Sequence, residues 1–128
     1  MALRLLLDTN VLIDFFRGQK EALAFLRTRS EPILISAVTV AELFAGVREG
    51  EERRTVEEFL AVLEIIPVDT EIAKKGGLYR RDYGPSHGVG LADALIAATA
   101  ELHQAKLVTL NARHFPMVEV EVPYKKPA

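Results

Sequence analysis

The chain contains no cysteine and no tryptophan. Without cysteine there is no disulfide, no thiolate nucleophile and no thiolate zinc cluster, and the absence fits a reducing compartment. Also missing is any apolar run near the roughly 20 residues that a membrane-spanning helix needs. The apolar stretch in MALRLLLDTN ends at Asp8, too soon for a secretion signal, so a soluble, cytoplasmic protein is expected. An excess of positive charge is lacking too: 16 Lys and Arg stand against 18 Asp and Glu, net −2 at pH 7. Such a balance does not grip a nucleic acid by charge alone, which leaves local patches or metal ions for any such contact. There is no internal repeat, low-complexity segment or linker. With 128 residues, a single domain over 1–128 is expected, long enough to bury roughly two-thirds of its unfolded surface.

What is present alternates between two periodicities. Leu3–Leu7 is apolar except for Arg4 and reads as a buried strand, as does Pro32–Ser36. Helical segments are expected over Val11–Arg17 and Gln19–Arg29, and from Ser36 or Thr39, either one a cap, to about Val47. Glu51–Leu63 is amphipathic, with Val56, Phe59, Leu60 and Leu63 on one face. A short strand is expected over Ile65–Val68, then a helix capped by Asp69 or Thr70 running to about Tyr83. Gly84–Gly90 reads as a loop by composition. The nearly all-apolar helix Gly90–Ala100 follows, then strands over Lys106–Leu110 and about Val118–Val122. Strands alternating with helices predict an α/β fold with a mainly parallel sheet.

Three carboxylates stand in apolar surroundings. Asp8 ends the first strand, where open parallel sheets bind ligands; its plain alternative is an Asx-turn or helix cap. Glu42 lies in AVTVAELFAGV, where the plain alternative is a solvated side chain or a pair with Arg48. Asp93 opens GLADALIAATA, where a capping or first-turn acid is the plain alternative. Gathered into one dry crevice, the three would repel one another and raise each other's pKa values, a conflict that a divalent cation removes. All-oxygen ligation favours Mg²⁺ or Mn²⁺ over zinc. Such a site suits phosphoryl transfer or phosphodiester hydrolysis.

Together, LLLDTNVLIDFF, AVTVAELFAG, GLADALIAATA and LVTLNARHF resemble the PIN-domain family, most closely the VapC-type toxins of toxin–antitoxin pairs. The resemblance spans nearly the whole chain and rests on the four motifs in order. It implies a three-layer α/β/α sandwich, a Mg²⁺- or Mn²⁺-dependent endoribonuclease, a homodimer, and neutralisation by a small antitoxin. It assigns Asp8, Glu42 and Asp93 as the acidic metal ligands and places Thr9 and Asn10 beside the first, Asn10 as a hydrogen-bonding support. The departure comes after the LVTL strand, where many members carry a further acid. Here stand Asn111, assigned to the catalytic set, and His114 in place of a neighbouring Asp. Asn111 brings no charge, which favours a one-metal site or a second ion arriving with the RNA; its plain alternative is a turn residue.

Several residues are read as bystanders. Asp14 is expected at the surface or in a cap, and His87 exposed in its loop. Arg81, Arg113 and His114 are expected to be solvated, although each is a candidate contact to RNA phosphate. Phe15 and Phe16 are expected mostly in the core, one ring facing a dimer or antitoxin groove, and Glu49–Arg54 as a solvated helix start. Two rival enzyme classes fit poorly. A receiver-type phosphoacceptor needs adjacent acids after the first strand and an acceptor Asp after a later one. A haloacid-dehalogenase phosphatase needs an Asp where Asn10 stands. A catalytically weak member that binds RNA or antitoxin without cutting is the remaining alternative.

Overall fold

The structure, a computed structural model, describes residues 3–125. Five strands, β1 (Arg4–Leu7), β2 (Ile33–Ser36), β3 (Glu64–Ile66), β4 (Ala105–Val108) and β5 (Val120–Glu121), form one sheet in the order β3-β2-β1-β4-β5, every pair parallel. Six α-helices cover it: α1 (Thr9–Phe16), α2 (Lys20–Thr28), α3 (Ala37–Ala45), α4 (Glu51–Leu60), α5 (Thr70–His87) and α6 (Leu91–Leu102). The expected α/β/α sandwich is thus what forms. Among the described residues no helix is long and apolar enough to cross a membrane.

The leucine run of β1 explains the three layers. Leu5 and Leu7 point to one face and pack with Val11, Leu12, Phe25, Leu43, Val56 and Leu60 from α1–α4. Leu6 points to the other and packs with Ile72 of α5 and Ile96 and Ala97 of α6. A strand buried on both faces has no polar side to show, which is why β1 reads as a continuous run. Ser36 caps α3, its Oγ accepting from Val38 N at 3.0 Å, and Asp69 caps α5, accepting from Ile72 N at 2.9 Å.

Several expected boundaries are corrected. Gly84–His87, expected as loop, forms the last turn of α5. Pro85 removes one helical hydrogen bond, but so close to the helix end that the turn persists. The helix stops at Gly88, whose φ of 64° suits glycine and whose N–H closes on Gly84 O at 2.9 Å. The amphipathic helix ends at Leu60 rather than Leu63, and β3 starts at Glu64. β4 spans Ala105–Val108 rather than Lys106–Leu110, and β5 shortens to Val120–Glu121.

Candidate active site

In the strand order, chain continuation runs from β1 out to β2 and β3 on one side, while β4 and β5 lie on the other. The switch point is between β1 and β4, and in parallel sheets the crevice beyond the strand ends at such a point binds ligands. Asp8 follows β1 and Thr109 follows β4 there. Asp8 N donates to Val108 O at 2.8 Å and Thr109 N donates to Glu121 O at 3.0 Å, so both residues are held by the sheet.

Asp8 is 5% exposed. It is the N-cap of α1, as its plain alternative reading had it, with Oδ1 accepting from Thr9 N at 2.8 Å. Its Oδ2 accepts from the buried Thr109 hydroxyl at 2.7 Å, and Thr109 Oγ1 in turn accepts from Asn111 N at 2.9 Å. Burial above all, with the negative fields of Asp93 and Glu42 adding to it, pushes the Asp8 carboxyl from 3.8 up to about 6 against the bonds from Thr109 and Thr9. Asp93 and Glu42 thus both lie near enough for their charges to act on Asp8.

They are not equally dry, which corrects the expectation of a dry crevice. Glu42, on α3, is an exposed residue, although its carboxylate turns back toward Thr9. Its Oε1 accepts from Thr9 Oγ1 at 2.6 Å, and that hydroxyl lies 3.0 Å from Thr39 Oγ1. The alternative pairing with Arg48 does not form, because Arg48 bonds Glu52 at 3.0 Å. Asp93 sits half-buried in the first turn of α6 and is not its cap, which is Gly90. Its Oδ2 is 3.3 Å from His114 Nδ1, and Asn111 Nδ2 lies 2.8 Å from the same ring nitrogen. Asn111 also begins the 3₁₀ turn Ala112–His114, so the turn-residue reading holds for its backbone. Asn10 reaches the far side of the switch point, its Oδ1 3.5 Å from Leu110 N.

Two bystanders are relocated. His114, expected as a solvated group, lies against Asp93 and Asn111, because the 3₁₀ turn folds it back onto the start of α6. Asp14, expected at the surface, is 4% exposed and accepts from Tyr124 Oη at 2.8 Å. The tail brings that tyrosine across α1. His87 and Arg81 are exposed as expected, bonded to Ser86 and Asp82 respectively. Arg113 is exposed. Phe15 packs tilted and Phe16 edge-on against Phe59, and Phe16 also lines an open groove with Ile13, Leu43, Val47 and Val56 that reaches Glu42. Thr39, Thr109 and His114 were not singled out as supports of the acids. Thr109 had a readable signal, a hydroxyl at the carboxyl end of a strand beside the first acid.

A divalent cation fits this donor set in kind. All three acids offer oxygen, and among the described residues none of them pairs with a lysine or arginine. The buried carboxylate at the switch point thus has no protein countercharge, a costly state unless a cation supplies one. In closure the fit is incomplete: among the described residues no three His, Asp or Glu side chains close around one point tightly enough to hold an ion.

The PIN domain model matches residues 5–120. Ribonuclease VapC10 of Mycobacterium tuberculosis is 42% identical over 118 residues, covering 90% of this chain and 88% of the relative. Ribonuclease VapC19 of the same organism is 41% identical over 124 residues, covering 93% and 98%. Among solved structures, a chain of a toxin–antitoxin complex from Klebsiella pneumoniae superposes with a TM-score of 0.82 at 32% identity, covering 94% of this chain and 98% of its own. With the motifs, the strand order and these matches in agreement over nearly its whole length, the chain belongs to the PIN-domain family.

Proposed function

We propose that the protein is a metal-dependent endoribonuclease, the toxin of a VapBC-type toxin–antitoxin pair, acting as one domain in the cytoplasm. The observation that carries this reading is Asp8, a carboxylate buried at the sheet's switch point, without a basic partner among the described residues and under the fields of Asp93 and Glu42. It is supported by relatives named as VapC ribonucleases and by a structural neighbour described as a toxin–antitoxin complex. RNA is the substrate, a small antitoxin the partner, and a homodimer the assembly.

Asp8 and Asp93 are the residues that would hold Mg²⁺ or Mn²⁺, with Glu42 either a third ligand or the group that orients a water. An ion held there would lower the pKa of water near it and offset negative charge on the scissile phosphate. The chain's share of the work is placement. Thr9 N–H and the Thr109 hydroxyl lock the plane of the Asp8 carboxylate, and the Thr9 hydroxyl restrains Glu42. Asn111 is anchored by its N–H on Thr109 and places its amide beside His114 and Asp93. Hydrolysis would then add the water's oxygen to phosphorus and release the 3′ or 5′ oxygen, which takes up a proton.

Asn111 favours a second reading. A neutral side chain stands where many relatives by resemblance carry an acid, so a chain that binds RNA or antitoxin without cutting is the alternative. The experiment is to incubate the partner-free chain with a mixed RNA pool in Mg²⁺, in Mn²⁺ and in EDTA, beside Asp8→Ala and Asp93→Ala. Cleavage that needs the metal and both acids supports the nuclease. Cleavage surviving chelation or both substitutions overturns the metal–carboxylate mechanism, and an uncut pool supports the non-cutting reading.

A further inference from the structure

The last turns of α5 carry groups that neither the acids nor the core uses. Arg80 is exposed and, among the described residues, forms no ion pair. Its guanidinium is nevertheless held in place. A Cβ built on Gly84, one turn further on, would meet Arg80 Nη1 at 2.0 Å, Arg80 Cζ at 3.1 Å and Val89 O at 3.5 Å. The arginine head therefore lies in the notch left by a missing side chain and reaches the connection between α5 and α6. Asp93 stands just beyond that connection, in the first turn of α6. A ladder of rings runs along the same helix. Tyr79 and Tyr83 have centroids 6.1 Å apart, and Tyr83 and His87 6.0 Å. Tyr79 packs on the core and has Lys75 Nζ 5.4 Å from its ring, whereas His87 at the other end is exposed. Tyr83 follows Arg80 by three positions, which makes the two neighbours on the helix surface. The helix holds four lysines and arginines against two acids, in a chain of net charge −2.

We propose that this end of α5 anchors the RNA, with Arg80 holding a backbone phosphate and Tyr83 and His87 taking a neighbouring base by stacking. The inference rests on the endoribonuclease reading above and names residues of its substrate surface. A guanidinium without a carboxylate partner can take a phosphate through two parallel N–H bonds. Laid in its notch before RNA arrives, it loses less side-chain freedom on binding than a loose arginine does. Aromatic rings accept any base, and a cation beside them grips an unpaired strand without reading its sequence. The competing account is structural, a cation set against the negative end of the α5 dipole.

The test uses the full chain in EDTA with a fluorescent, unpaired RNA oligonucleotide of mixed sequence, affinity being read by anisotropy across a salt series. Arg80→Ala is expected to weaken binding about tenfold and to reduce the salt slope by about one. Tyr83→Leu is expected to weaken it about fivefold with the slope unchanged. Gly84→Ala displaces only the tip of a flexible side chain, so the helix tolerates it, and RNA binding is expected to fall as in Arg80→Ala. The double variant should then bind no worse than Arg80→Ala alone. Lys74→Ala removes the same charge from the other end of α5 and is expected to change affinity less than about twofold. RNA affinity unchanged in Arg80→Ala, whatever its thermal stability, or an equal loss in Lys74→Ala, overturns the inference and leaves the nuclease reading to the cleavage assay. No RNA binding by the unmodified chain also overturns the inference, and an uncut RNA pool beside it overturns the nuclease reading as well.

Discussion

At the residue scale the balance around Asp8 decides both stability and chemistry. Its folded pKa of about 6 lies above the ordinary 3.8, so its contribution to stability is fully present below 3.8 and is lost as pH rises through 6. The rise of about two units corresponds to roughly 3 kcal/mol at neutral pH, since each unit is about 1.36 kcal/mol. In Asp8→Asn this penalty disappears, while the amide mismatches the Thr109 hydroxyl at a cost of about 1 kcal/mol. Denaturant unfolding in EDTA is therefore expected to show Asp8→Asn more stable by about 2 kcal/mol at pH 8 and no more stable than the parent near pH 3.5. Thr109→Val removes the donor to Asp8 Oδ2 and the acceptor of Asn111 N–H in one step, within a fully buried site. A loss of about 1–3 kcal/mol is expected from the unsatisfied groups, together with reduced RNA cleavage measured under saturating Mg²⁺.

At the element scale the pairing of α5 with α6 places Asp93. The small residues Ala94, Ala97, Ala98 and Ala100 bury α6 completely at those positions and let its backbone approach its neighbours closely. Gly76 of α5 is the tightest point, where an added Cβ would meet Leu95 Cδ2 at 2.6 Å and Leu95 Cα at 3.2 Å. The contact with backbone cannot be relieved by a rotamer change, so the helices must part. Gly76→Ala is expected to cost about 1–3 kcal/mol despite alanine's better helix propensity. A double-mutant cycle with Leu95→Ala checks the mechanism: the side-chain clash at Cδ2 vanishes in the double variant, so the two losses should fall short of additive. The α6 motif was readable because its apolar content and its lone acid are local facts of sequence. The extent of α5 was not, since Gly84 and Pro85 are strong breakers by composition. Only the position of Pro85 within two residues of the helix end makes it tolerable.

At the scale of the whole molecule, long-range ties hold the sheet's edge and the tail. Arg29, just after α2, pairs with Glu31 at 2.6 Å and with Glu121 of β5 at 2.5 Å, while Lys106 of β4 approaches Glu121 at 3.6 Å. The guanidinium pulls Glu31 from 4.5 down to about 2 and lowers Glu121 as well. These acids have depressed folded values, so their contribution is present above about 4.5 and is lost as pH falls toward 2. Arg29→Met is expected to flatten the loss of stability between pH 4.5 and pH 2.5, read from thermal melts across that range. These pairs are part-buried but still reached by water, at 20–26% side-chain exposure, so the effect at neutral pH is expected to be modest. Tyr124→Phe tests the tail by removing the donor to buried Asp14, with an expected loss of about 1 kcal/mol in denaturant unfolding.

By itself the sequence determined an α/β fold with a mainly parallel sheet and singled out the candidate acids. Continuous apolar strands demand helices on both faces, and a carboxylate at a strand end or alone on an apolar helix stands out without any coordinates. Only the tertiary structure decided how the acids differ and what steadies them. Asp8 meets Thr109 across 101 positions of chain, and Thr9 meets Glu42 across 33. Asp14 meets Tyr124 across 110, and His114 reaches Asp93 only once β4 has delivered its 3₁₀ turn to the start of α6. Such contacts depend on strand order and helix packing. A parallel sheet brings distant residues to one edge, and no local pattern of residues encodes which of them will touch.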